Sequence, residues 1–285
     1  MASLSATDLF SVNGLVAVIT GGGTGIGLMM AKALEANGAK VYIVGRRLEV
    51  LEKAAKEAKH GKIIPLQGDV SVKGDLARIV DIIEKADGFI NVLVANSGIG
   101  GPGISGLKPN SSLSEFRDVL WATDAEEFTH TYRVNTSAVY FTVVAFLNLL
   151  GAGNAKGNVE QKSQVIATSS IGAYNRSPLA GYAYGTSKAA VVHMLKQFST
   201  ALVPYDIRSN VIAPGFYPSE LASASISRLS DEGKFPKSAV PLQRAGTEED
   251  MAGTILYLTS RGGAYLNGNV IVTDGGRLSV IPSTY

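Results

Sequence analysis

Seven short runs dense in valine and isoleucine punctuate the chain, at residues 15–20, 40–44, 62–66, 91–95, 163–168, 207–213 and 269–272. Between them lie stretches of helical period at 25–37, 48–59, 72–86, 126–149, 182–203 and 248–260. Strands that are apolar on consecutive residues bury both faces, and strands separated by helices return parallel to one another. The expectation is an α/β fold in which a doubly wound, seven-stranded parallel sheet carries helices on both faces. Punctuation agrees: Gly38 stands where the first helix should stop, and Thr247 precedes Glu248, Glu249 and Asp250 as an N-cap with acids in the first turn. Residues 98–124 and 217–240 read as irregular, rich in Gly, Pro and Ser, and fall where such a sheet builds its ligand crevice.

Composition narrows the partners. Hydrophobic residues make up 46% of 285 and charged ones 18%, enough apolar material for one large core, so residues 1–285 are expected to form a single domain. The net charge is +2 with no run of like charges, which gives no footprint for nucleic acid or an anionic membrane. Cysteine is absent and His60, His130 and His193 are far apart in sequence, so no metal motif is expected. The apolar run at 138–150 is shorter than the ~20 residues of a membrane span and is interrupted by Thr142 and Asn148. Residues 1–11 lack the basic-then-apolar pattern of a leader, and a cytoplasmic location is the expectation.

The segment from Thr20 to Gly27, Thr-Gly-Gly-Gly-Thr-Gly-Ile-Gly, follows the first strand directly and opens the first helix. Glycines allow a tight turn and close approach to a pyrophosphate, and the helix N-terminus offers unpaired N–H groups to the anion. Gly21, Thr24, Gly25, Ile26 and Gly27 are therefore candidate dinucleotide contacts, with a plain turn as the alternative. The spacing is Gly-x-x-x-Gly-x-Gly rather than the commoner Gly-x-Gly-x-x-Gly.

That turn is followed in order by Gly68-Asp69-Val70, Asn96-Ser97-Gly98, Asn135, Ser170, Tyr184-x-x-x-Lys188, Pro214-Gly215 and Asp274-Gly275-Gly276. The set resembles the short-chain dehydrogenase/reductase family from about residue 15 to 276. The resemblance implies a Rossmann-like domain and an NADP(H)-dependent oxidoreductase. Such an enzyme interconverts a ketone or aldehyde and an alcohol on a small-molecule substrate. An NAD-linked alcohol dehydrogenase, a C=C reductase and a cofactor-binding protein without redox chemistry are the alternatives.

Cofactor choice turns on the end of the second strand, which reads Val44-Gly45-Arg46-Arg47. An NAD enzyme places a carboxylate there for the ribose 2′-hydroxyl, whereas a 2′-phosphate needs positive charge. Gly45 stands in the acid's place, so NADP(H) is expected, with Arg46 first and Arg47 second at the phosphate; two solvated arginines are the other reading. By resemblance Asp69 and Val70 flank the adenine, although Asp69 could equally cap the next helix. Asn96, Ser97 and Gly98 pass the ribose, with Ser97 where the family more often has Ala.

Tyr184 and Lys188 lie four apart on a predicted helix and so share a face, a pattern that also marks ordinary amphipathic surfaces. A nearby ammonium favours the phenolate and should lower the phenol from its usual value near 10. Resemblance adds a serine to polarise the substrate oxygen, for which Ser170 is chosen and Ser169 is the runner-up. It also adds Asn135 to hold a water beside the lysine, against the reading that Asn135 bends a long helix. Pro214, Gly215 and Ser219 are implied at the nicotinamide, Ser219 at its carboxamide. Tyr174, Ile104, Leu107, Trp121, Phe216 and Tyr217 are expected to line the substrate cavity, suggesting an apolar or cyclic substrate. Helices 126–149 and 182–203 would, in relatives, pack across a symmetry axis, so a homotetramer or homodimer is expected. The tail, residues 277–285, has no assigned role beyond a possible contact with a neighbouring subunit.

Overall fold

The computed structural model describes residues 4–104, 106–108, 110–178, 180–230 and 234–285. Its seven strands are β1 (Val16–Thr20), β2 (Lys40–Gly45), β3 (Ile63–Gln67), β4 (Val92–Ala95), β5 (Gln164–Thr168), β6 (Arg208–Pro214) and β7 (Val270–Thr273). They form one all-parallel sheet in the order β3-β2-β1-β4-β5-β6-β7, and every strand lies within a residue or so of its expected place. β1, β4, β5 and β6 are buried throughout, as strands packed on both faces must be.

The helices are α1 (Ala6–Leu9), α2 (Gly25–Ala36), α3 (Leu48–Ala55), α4 (Lys73–Ala86), α5 (Leu113–Trp121), α6 (Ala125–Tyr132), α7 (Ala138–Lys156), α8 (Tyr182–Ala201), α9 (Ser223–Leu229) and α10 (Glu248–Thr259). Alternation along each strand divides the core: Val16 and Val18 of β1 face Phe146 of α7 and Val191 of α8, while Ala17 and Ile19 face Met30 of α2 and Ile255 of α10. The caps behave as expected, with Gly38 at φ +98° and a reciprocal capping box between Thr247 and Asp250.

Three expectations are corrected. The helix expected at 48–59 stops at Ala55, because the backbone N–H groups of Lys59, His60 and Lys62 turn inward to the fully buried Glu35 carboxylate at 2.6–3.1 Å. Burial would raise that carboxyl; the three donors outweigh it and hold it below the ordinary range. The stretch expected as one helix over 126–149 instead runs Ala125–Lys156 with a π-helical segment, Arg133–Ser137, in its middle. There Asn135 bonds Ser187 at 3.1 Å and Thr136 bonds the Ser187 carbonyl at 3.1 Å. Two consecutive side chains thus reach one neighbouring helix, which an extra residue in the turn permits. By length and composition alone this helical stretch could cross a membrane, but Val139, Val143, Phe146 and Leu150 belong to the sheet's core.

Residues 98–124 and 217–240 are not irregular throughout, since α5 and α9 lie within them. The Ser112–Glu115 capping box that starts α5 is a signal legible in the sequence. The tail, to which the sequence assigned no role, makes contacts with its own chain. Arg176 N–H donates to the Pro282 carbonyl at 2.9 Å, Thr284 N–H to the Tyr174 carbonyl at 2.8 Å, and the Tyr174 and Tyr285 rings meet edge to face at 5.0 Å.

Candidate active site

The sheet reverses its winding between β1 and β4, and the carboxyl ends of these strands open onto a cleft of about 970 Å³. At its first wall, Gly21 and Gly25 adopt φ +64° and +51°, and a Cβ on Gly27 would stand 2.1 Å from the Gly21 carbonyl oxygen. The turn can close only with a bare backbone at that crossing. Asn96 ties it down: its side-chain amide donates to the carbonyls of Thr20 and Gly21 at 3.0 and 3.3 Å, while the N–H groups of Asn96 and Ser97 donate to the Thr20 hydroxyl at 3.0 and 3.1 Å. Asn96 is thereby a brace for the glycine turn, a role the sequence did not suggest.

The end of the cleft beyond β2 and β3 is lined by Arg46, Arg47, Asp69 and Val70. Asp69 does not cap α4; it accepts from the N–H and hydroxyl of Ser71 at 2.8 and 2.7 Å. Burial would raise its carboxyl, but the Ser71 donors and the Arg46 charge hold it below the usual range. The two arginines part company. Arg47 pairs with Glu220 at 3.1 Å across the cleft mouth, both side chains being largely exposed, whereas the Arg46 guanidinium has no ion-pair partner among the described residues.

Across the cleft, α8 presents Tyr184 and Lys188 beside the end of β5. Ser170 opens a short turn in which its Oγ accepts from Gly172 N–H at 3.0 Å. A Cβ on Gly172 would lie 3.1 Å from the Tyr184 ring and 3.3 Å from Ser170 Oγ, which places hydroxyl and phenol against the same point. Ser169 points elsewhere, donating to the Lys188 carbonyl at 2.8 Å from a buried position. Lys188 is 4% exposed; its Nζ donates to the Thr168 carbonyl at 2.9 Å and lies 6.0 Å from the Tyr184 ring centre. Burial pushes the lysine down to about 8. It also pushes the Tyr184 phenol up, against a smaller opposing effect of the Ser170 hydroxyl. The expected lowering of the phenol by the ammonium is therefore reversed here, because desolvation outweighs a partner 6.0 Å away.

Asn135 is buried behind the cleft and does not line it. Its side chain is fully engaged, accepting from Ile99 N–H at 2.8 Å and donating to the Ile99 carbonyl at 2.9 Å and to Ser187 at 3.1 Å. Gly98 lies between it and the lysine, with Asn135 Oδ1 and Lys188 Nζ each 3.2 Å from where a Cβ would be. Pro214, Gly215 and Ser219 line the cleft. Ser219 accepts from Ala222 N–H at 3.1 Å and packs over Gly25, a Cβ there falling 2.9 Å from its own, so it sits above the glycine turn.

The expected substrate walls are corrected in part. Phe216 and Tyr217 line the cleft; Ile104, Leu107 and Trp121 do not, and Trp121 is 77% exposed beneath Arg117. Tyr174 is also outside the lining, its ring being taken by Tyr285. Sequence reasoning missed His130, Arg176 and Arg277, which do line it. Arg277 had a usable signal, since it follows two left-handed glycines, Gly275 and Gly276, that turn the chain back towards the strand ends.

A glycine turn closed to side chains, a helix N-terminus behind it, unpaired basic charge at one end and a phenol–amine–hydroxyl group at the other fit a nicotinamide dinucleotide. The sequence profile described as Enoyl-(Acyl carrier protein) reductase matches residues 21–277. The short-chain dehydrogenase/reductase PhomF of Diaporthe leptostromiformis is 60% identical over 99% of this chain and 98% of its own length. Among solved structures, the RhlG/NADP active-site complex of Pseudomonas aeruginosa superposes with a TM-score of 0.80 at 28% identity, covering 94% of this chain and 98% of that one. The 3-ketoacyl-(acyl-carrier-protein) reductase of Brucella melitensis complexed with NADH gives a TM-score of 0.76 at 27% identity over 94% and 99%. With that glycine turn, that sheet and the Tyr184–Lys188 pair on one cleft, the chain belongs to the short-chain dehydrogenase/reductase family of oxidoreductases.

Proposed function

We propose that the protein is an NADP(H)-dependent carbonyl reductase acting on a ketone or aldehyde of a small molecule. The observation that carries this reading is the meeting of Ser170, Tyr184 and Lys188 in the cleft whose other wall is the glycine turn. Gly21, Thr24, Gly25, Ile26 and Gly27 would hold the pyrophosphate. Arg46 would take the 2′-phosphate, helped by its freedom from an ion pair, with Asp69 and Val70 beside the adenine. When bound, the reduced nicotinamide supplies the hydride.

The chain's own part is to hold and move a proton. Ser170 Oγ donates to the carbonyl oxygen and fixes it against the phenol. Tyr184, kept protonated at neutral pH by its burial, gives its proton to that oxygen. Lys188, pushed down to about 8, orients the ribose and supplies the charge that allows the phenol to be left as phenolate. Asn135 acts as a positioning residue, tying the loop at Ile99 to Ser187 beside the lysine. The exposed Tyr140, Phe141 and Val144 on α7, with Tyr140 stacked on Phe198 of α8 at 6.0 Å, support a homo-oligomeric partner surface.

The test is to mix the purified protein with NADPH or NADH and a panel of ketones, aldehydes and enones, following cofactor absorbance and identifying products. NADPH-dependent carbonyl reduction is the expected result. Saturation of the C=C bond, a preference for NADH, or binding without oxidation would replace the reading with one of its alternatives.

A further inference from the structure

Arg277 lines the cleft, yet the residue is only 5% exposed. Of its five N–H donors, one has an acceptor among the described residues, the Ala239 carbonyl at 2.7 Å, and no carboxylate forms an ion pair with it. Asp274 lends it a favourable field, but that carboxylate is engaged by the N–H groups of Gly276 and Leu278 at 2.8 Å each. The guanidinium lies 4.7 Å above the Phe216 ring, which itself stacks on Phe235 at 5.4 Å and 8°. A buried cation without an anion is costly and a scaffold built only for stability would replace it. Here the Phe216 ring, backed by Phe235, supports the guanidinium while most of its donors have no acceptor among the described residues, the arrangement of a preorganised anion receptor.

Asp274 lies outside the cleft lining, and within that lining the free charge near Arg277 is basic. Asp69 and Glu220 are the only carboxylate residues among those lining the cleft, the first bound to Ser71 and the second paired with Arg47. Towards the tail the lining offers Arg277, at its start, and Arg176, whose backbone N–H donates to the Pro282 carbonyl.

We propose that Arg277 anchors an anionic oxygen group of the substrate, a carboxylate or an ionised phenol, at a position on that molecule other than the reacting carbonyl. This rests on the reading of the cleft as a carbonyl-reductase site and names the class of substrate it takes. A bidentate guanidinium contact fixes a flat anion in two dimensions, so it would also set which face of the carbonyl meets the nicotinamide.

The test is calorimetric titration of the full chain with 1-naphthoate and its neutral isostere 1-naphthamide, each with and without saturating NADP+, and of NADPH alone. Naphthoate is expected to bind about tenfold tighter than the amide. Arg277→Gln should erase that ratio and Arg277→Lys retain part of it, with NADPH affinity held within about twofold in both. Equal binding of the two probes to the wild-type protein, or no binding of naphthoate, overturns the proposal whether or not the variants fold. So does a Gln variant that keeps the preference, or one that loses NADPH instead. Failure of the wild type to bind NADPH sinks the cofactor reading, while the naphthoate ratio measured without cofactor still decides this one.

Discussion

The Lys188 ammonium donates to the Thr168 carbonyl at 2.9 Å, and one residue along the same strand end Ser169 donates to the Lys188 carbonyl at 2.8 Å. Helix α8 and the end of β5 are thus laced together from both directions, and the lysine is held almost entirely out of water at the cleft wall. The arrangement fixes Tyr184 relative to Ser170, and it burdens the fold with a desolvated charge.

That burden has a pH signature. Free lysine titrates near 10.4, and in the folded chain Lys188 is down to about 8. Between those values the unfolded chain holds more protons than the native one, so stability rises as pH climbs through this window; below about 8 the full cost is present. Relative to Lys188→Met, the wild type should therefore gain about 2 kcal/mol from pH 7 to 9.5. Urea unfolding of both proteins at the two pH values measures it, and a difference that does not move with pH contradicts the burial argument.

Tyr184 and the two serines separate chemistry from structure. Tyr184→Phe keeps the ring that faces Gly172 and loses only the hydroxyl that carries the transferable proton, so kcat should fall by roughly a thousandfold with NADPH affinity nearly unchanged. Ser170→Ala should lower kcat by about a hundredfold with little change in stability. Ser169→Ala removes a buried bond to Lys188 and should cost about 1 kcal/mol of stability first. If Ser169→Ala is the variant that loses turnover at unchanged stability, the serine assignment is reversed.

Much of this is legible in the amino-acid sequence alone. Valine-rich runs placed the strands because a doubly covered strand is apolar on both faces, and the glycine turn was readable because its position between strand and helix restricts what it can be. What escaped depended on partners distant in sequence. The early stop of α3 needs Glu35, the π segment needs Ser187, and the idle state of Arg46 beside the engaged Arg47 needs Glu220 from a loop more than a hundred residues away. Trp121 has a local reason instead. A tryptophan in a glycine-rich stretch is compatible with a cavity wall, but Trp121 falls on the exposed face of the helix that Ser112 and Glu115 cap.

The crossing of Gly27 over Gly21 sets a steric limit that no neighbour can relax, since the atom met at 2.1 Å is a backbone oxygen. Gly27→Ala should force the turn open and raise the NADPH dissociation constant by at least about a hundredfold, or cost about 3 kcal/mol of stability, although a methyl is added and no contact removed. Fluorescence titration with a parallel melting curve reads both. Wild-type behaviour in each would mean the turn is not closed as described.

Arg46 and Arg47 make opposite predictions because one is free and the other engaged. Arg46→Asp puts a carboxylate where the 2′-phosphate is expected, so KM for NADPH should rise by about a hundredfold and that for NADH far less; equal changes remove Arg46 from the phosphate. Glu220→Gln should do the reverse. The Arg47–Glu220 pair is exposed and contributes within about 0.5 kcal/mol to stability, so melting should not shift. The released Arg47 guanidinium, on the residue next to Arg46, becomes available to the same phosphate, and KM for NADPH should drop by about two- to threefold at low salt. A rise in KM would instead mean that the ion pair closes the cleft over the cofactor and that breaking it opens the mouth, in which case the pair belongs to cofactor retention and not to its selection.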